Sequence, residues 1–166
     1  MTATDLKTLF DYGYWANRTL FDAVGRLTAD EFTQPVAGSY GSVRNTLVHT
    51  LSAEAGWLDR CGGPKRGPRL DPSDYPTFDS VQQAWTRVEG QVREFLATLS
   101  DADLARRIEY SFNPAHTNSG TIGELMHHAA NHAVHHRGQV ALLLRMLGHA
   151  PGDFDLLFYY ARPRQV

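Results

Sequence analysis

The chain has 166 residues, 42% of them hydrophobic and 20% charged, so it is long enough for one domain with a real core and too well mixed in charge to be disordered. Its formal net charge is -2, and its 16 lysines and arginines form no run or stripe. Nucleic acid and anionic membrane surfaces therefore lack the electrostatic footprint they need, and neither is an expected partner. No stretch approaches the roughly 20 apolar residues of a membrane span, and MTATDLKTLF has no basic segment followed by an apolar one, so a cytoplasmic location is expected.

From Asp5 to about Leu27, Leu6, Leu9, Phe10, Leu20 and Val24 recur at helical spacing, which predicts a first long helix. Thr28 and Glu31 have the form of a capping box opening a short helical turn that Pro35 ends. Ser42 is the expected N-cap of a second long helix, running to about Arg60. Val43, Leu47, Leu51 and Leu58 make one apolar side of it. Thr46, His49, Ala53, Gly56 and Trp57 make another, whose small residues would admit a neighbouring helix, so His49 should point into a crowded place.

Cys61 to Thr77, with four prolines and three glycines, reads as a long loop and a rim or lid, and Cys61 itself as an incidental thiol. A third helix is predicted from about Ser80 to Leu99. Ser100 then begins a short helical turn, and Ile108, Tyr110 and Phe112 alternate like one brief strand. Thr121 and Glu124 form the clearest capping box, and Gly148 is the expected stop of a fourth long helix. The tail, from Phe154 to Tyr160, is apolar enough to be expected to pack over one end of the bundle.

The fourth helix carries NHAVHHRGQ, in which His132 and His136 lie four apart and hence on one face, one turn from each other. Leu125, Ala129, Val140, Leu143 and Leu147 share that side, whereas Asn131, His127 and Arg145 fall opposite. Two inward imidazoles need partners for their ring nitrogens, and one divalent ion would satisfy a nitrogen of each. The glutamate of an HExxH zinc protease is missing, so another helix must complete the site. His49, His128, His116 and Glu54 are the candidates, and His49 is the best placed. Gln139 shares the face of the pair and is expected to contact a ligand or substrate, Arg137 to support neighbouring helices, and Asn131 and Glu54 to back up the metal ligands. Glu54 lies well around its helix from His49, which argues against it as a general base.

FDYGYWANRTLFDAV, NTLVHTLSAEAGWL and NHAVHHRGQVALLLRMLG together resemble three regions of the DinB family of damage-inducible bacterial proteins, over most of the chain. The resemblance implies an all-α, up-down-down-up four-helix bundle spanning residues 1–166 as a single domain. It also implies one divalent ion per chain (nickel, zinc or iron) held by His49, His132 and His136, and a homodimer. Relatives of this kind include S-transferases and isomerases that use low-molecular-weight thiols. A metal-dependent thiol S-transferase, taking a small thiol and an electrophilic small molecule, is the reading that follows. A hydrolase using metal-activated water and a non-enzymatic, stress-related metal-binding protein are the alternatives.

Overall fold

The computed structural model describes residues 1–113 and 115–162, with only the backbone of Phe112 and Asn113, so the Phe112 side chain of the predicted strand lies outside the described part. The chain is mostly helical. Four long helices dominate: α1 (Ala3–Val24), α3 (Val43–Arg60), α4 (Phe78–Thr98) and α6 (Ile122–Met146). Of three short ones, α2 (Ala29–Thr33) and α5 (Asp101–Leu104) sit in the connections and α7 (Leu156–Tyr160) in the tail after α6. None of the described helices is long and apolar enough to cross a membrane.

Each helix starts where the chain supplies an acceptor for otherwise unpaired amides. Thr28 caps α2 and Thr121 caps α6, both in complete capping boxes with Glu31 and Glu124, and the Ser42 hydroxyl accepts from the Asn45 amide at the head of α3. The ends are equally local. After α6 the amides of Gly148 and His149 reach back to the carbonyls of Arg145 and Leu144, and Gly148 takes a φ of 85°. After α3, Gly62 and Gly63 make the same pair of bonds to Asp59 and Leu58, with Gly62 at φ 100°. Both are glycine-terminated Schellman closures, open to glycine because it has no Cβ to clash there.

Cross-helix contacts fix the neighbours and their directions. Phe21 of α1 meets Phe78 and Trp85 at the start of α4, whereas Asp11 meets Arg93 near its end, so these two run antiparallel. Gly13 in the middle of α1 receives Arg137 from the middle of α6, and Arg26 just past α1 reaches Ala150 just past α6, so α1 and α6 run parallel. Trp57 packs on His128 while His49 packs on His132 and His136, so α3 runs against α6. Leu6, Tyr14, Leu20, Val43, Leu51, Val81, Val92, Ile122 and Leu144 are among the residues closing the interior.

The structure departs from the sequence reading at three places. Two strands form where one was expected: β1 (Arg107–Asn113) pairs antiparallel with β2 (His116–Thr121), in register from Arg107 opposite Thr121 to Tyr110 opposite Asn118. β2, HTNSGT, has no apolar alternation, and its burial comes only at Gly120, so no period-2 signal announced it. The tail is only half packed: Tyr159 lies against Tyr12 and Trp15, while Leu157, Phe158 and Tyr160 are exposed. The glycine on the second side of α3 admits no helix. A Cβ on Gly56 would meet the side chains of Arg60 and Arg66, so a loop arginine fills the space.

Candidate metal centre

Three imidazoles from two helices converge. His49 on α3 and His132 and His136 on α6 each offer a ring nitrogen, and all three lie within 4.8 Å of one another. The Nε2 atoms of His132 and His136 are 3.0 Å apart, and those of His49 and His132 are 3.4 Å apart. Two nitrogens bound about 2.0–2.1 Å from one ion, at angles between octahedral and tetrahedral, are separated by about 2.8–3.4 Å. The spacing and the all-imidazole donor set therefore fit a first-row divalent ion.

The surroundings hold these rings neutral. Burial, then the neighbouring imidazoles, push His49 and His132 down to about 4, and burial lowers His136 as well. At neutral pH each ring therefore has a nitrogen lone pair to give. His136 is already oriented for it, because its Nδ1 lies 2.6 Å from Gln139 Oε1, an acceptor, which puts the proton on Nδ1 and leaves Nε2 bare. His49 is set the other way. Arg69, which can only donate, sits 3.2 Å from its Nδ1, so in this arrangement the proton is on Nε2, directed at Tyr40 Oη 2.9 Å away.

Tyr40 went unnoticed in the sequence. It stacks on His49 with ring centroids 3.8 Å apart and an interplanar angle of 19°. The short loop that carries it is held in uncommon backbone conformations, with Gly38, Ser39 and Gly41 all at positive φ. Ser39, at φ 47°, is the costly one, of order 1 kcal/mol for a non-glycine residue. Its hydroxyl joins Gln139 Oε1 at 2.7 Å and Thr46 Oγ1 at 3.0 Å, tying loop, α3 and α6 together behind the imidazoles. A loop residue without periodicity gives no pattern to read, although the Gly-Ser-Tyr-Gly run was a turn signal.

The other candidates are placed elsewhere. His116 is exposed on β2, and His128 is exposed one turn before His132, its ring against Trp57. Glu54 is buried and accepts a 2.8 Å bond from the Tyr14 hydroxyl, its hydrogen bond thus going to α1. Asn131 is exposed on the far side of α6. The Gln139 carboxamide is taken up by His136, Ser39 and His135, so it orients the His136 ring. Arg137 is buried and bonds Gly13 O and Asn17 Oδ1, the supporting role anticipated for it. Cys61 is buried at the end of α3, and its thiol is pushed up to about 11 by burial, which leaves no thiolate for catalysis.

Beside His49 and His132 lies a cavity of about 350 Å³ walled by Trp57, His128, Arg60, Arg66 and Arg69, with no carboxylate among its lining residues. The loop expected as a rim supplies Arg66 and Arg69.

The DinB family model matches residues 1–165. This chain belongs to the DinB family. Among DinB-like relatives, Protein DinB of Bacillus subtilis (strain 168) is 23% identical over 171 residues, covering 95% of this chain and 96% of the relative. An uncharacterized protein of the same organism, YizA, is 24% identical over 148 residues, covering 88% and 90%. A DinB-like protein from Bacillus cereus ATCC 10987 superposes with a TM-score of 0.74 at 19% identity, over 92% of this chain and 97% of that one. A conserved protein from Enterococcus faecalis does so with a TM-score of 0.62 at 15% identity, over 87% and 96%. These likenesses extend over nearly the whole chain, so the DinB fold includes both helices that carry the three histidines.

Proposed function

We propose that this DinB-family chain is a divalent-metal protein whose ion, one per chain, is held by His49, His132 and His136, and that it is a metal-dependent enzyme acting on small molecules. The observation that carries the reading is the convergence of the three imidazole nitrogens within 4.8 Å, at the edge of a cavity of about 350 Å³. The helix directions support an up-down-down-up four-helix bundle, with residues 1–166 as one domain. A homodimer, a cytoplasmic location and nickel, zinc or iron as the ion belong to the same proposal.

Three imidazoles leave further coordination positions open, as in catalytic rather than structural sites. A divalent ion there would act as a Lewis acid that favours the thiolate form of a small thiol. The reaction proposed is thiol S-transfer, in which the thiolate sulfur attacks an electrophilic carbon and the leaving group departs with its bonding electrons. The chain's own part is to orient and to enclose. Gln139 fixes the His136 tautomer, Tyr40 covers His49, and the cavity receives the electrophile. Water activation for hydrolysis would want a carboxylate base nearby, and Glu54 is instead tied to Tyr14.

The test is elemental analysis of tag-free wild type, His49→Ala, His132→Ala and His136→Ala, each dialysed and then offered equal zinc and nickel. Wild type should retain about one ion per chain and each variant should lose it. Adding a small thiol to the nickel-loaded wild type should then change its visible absorption. Metal retained by His49→Ala refutes the ligand set, and a spectrum indifferent to thiol leaves a non-enzymatic metal protein.

A further inference from the structure

The hydrogen bonds around His49 bear on what the neighbouring cavity receives. Arg69 donates to His49 Nδ1 at 3.2 Å, which requires the ring proton on Nε2. Nε2 is also the atom facing His132. If it serves as a metal ligand, as the proposed function requires, the proton must move to Nδ1. Two donors, the Nδ1–H of His49 and the guanidinium of Arg69, would then face each other across 3.2 Å.

Ligating histidines ordinarily donate that second N–H to a carboxylate, a carbonyl or water. His136 meets this need within the chain through Gln139 Oε1. His49 does not: the wall of the adjoining cavity holds Arg60, Arg66, Arg69, His128 and Trp57, and no carboxylate. Arg66 is fixed by Ser52 Oγ at 3.3 Å, and Arg60 lies over the Trp57 ring at 5.2 Å, so the positive charge is placed on two elements, α3 and the loop after it.

We propose that this cavity binds the anionic group of a substrate, a carboxylate or a phosphate-like oxyanion. One of its oxygens accepts from both His49 Nδ1–H and Arg69, so that metal loading and anion binding favour each other. The inference rests on the three-histidine metal reading and extends it to a substrate class. An oxyanion is the ligand that turns the donor-donor clash into two charge-assisted hydrogen bonds, and a planar guanidinium is well shaped to offer them.

Titration calorimetry at constant ionic strength tests it, with sulfate standing for a phosphate-like group and acetate for a carboxylate. Both are run on zinc-loaded and on EDTA-treated wild type and on Arg69→Gln, with zinc content measured on each sample. At least one anion should bind one-to-one and about tenfold or more tighter to the zinc-loaded protein, since a hydrogen bond to a charged group is worth about that factor. Arg69 is exposed, so its replacement should leave folding and zinc content unchanged while removing that gain. The tighter anion assigns the class. The proposal is overturned if neither anion binds zinc-loaded protein, if zinc makes no difference, or if Arg69→Gln binds as wild type does, which would place the anion on the ion alone. Wild type that takes up no zinc brings down the metal reading and this inference together, whereas zinc uptake without anion binding brings down only the inference.

Discussion

A single amide distinguishes the three imidazoles. Gln139 Oε1 lies 2.6 Å from His136 Nδ1 and 2.7 Å from the Ser39 hydroxyl, while its Nε2 is 3.0 Å from His135 Nε2, so both ends of the carboxamide are engaged and its oxygen faces His136. In this arrangement His136 presents its Nε2 lone pair toward the other two imidazoles. Groups that hold a ligand in this way typically contribute 10–100-fold in metal affinity. Gln139→Ala should therefore weaken zinc binding by about that factor, and Gln139→Glu, which keeps the acceptor oxygen, should lose far less. Competition against a chromophoric chelator reads the difference. Equal affinity in wild type and Gln139→Ala would reduce the contact to packing.

The element that carries two of the three histidines depends on its cap. The Thr121 hydroxyl accepts from the Glu124 amide at 3.1 Å, and Glu124 returns a carboxylate oxygen to the Thr121 amide at 2.7 Å. Thr121→Ala should cost about 1 kcal/mol, lowering the melting temperature by roughly 2–4 °C in a chain of this size. Zinc content should stay unchanged, since His132 lies three turns inside the helix. A melting temperature equal to wild type would mean that the hairpin alone holds this end. Caps of this kind are why the helix ends were legible: Ser42, Thr121 and Gly148 are local signals, each confined to a few residues of sequence. The four-residue spacing of His132 and His136 was legible for the same reason. The proximity of His49 to that pair could only be inferred, because it depends on α3 running against α6. Tyr40, Arg66 and Arg69 were illegible, since loops have no period and their side chains reach the centre through tertiary geometry.

At the scale of the whole molecule, the interior between α1, α3 and α6 is tied by a buried polar set: Tyr14 donates to Glu54, and Arg137 to Asn17 and Gly13. Burial, partly offset by the Tyr14 bond, raises the Glu54 carboxyl from 4.5 to about 7. The native state therefore holds this proton more tightly than the unfolded chain does, and between pH 4.5 and 7 stability falls as pH rises. Above pH 7 both states are ionised and the full cost, about 3 kcal/mol, is present. The histidines act in the opposite sense, since His49 and His132 are lowered to about 4, so metal-free protein loses stability as pH falls below 6.5. The two trends overlap in wild type, and Glu54→Gln separates them. Its amide oxygen still accepts from Tyr14, yet it carries no charge to bury. In EDTA, Glu54→Gln should equal wild type near pH 4.5 and melt higher at pH 8, by an amount that grows across the interval. A difference that stays constant with pH would mean that Glu54 is already ionised in the fold, with Arg137 compensating for it at the centre of the molecule.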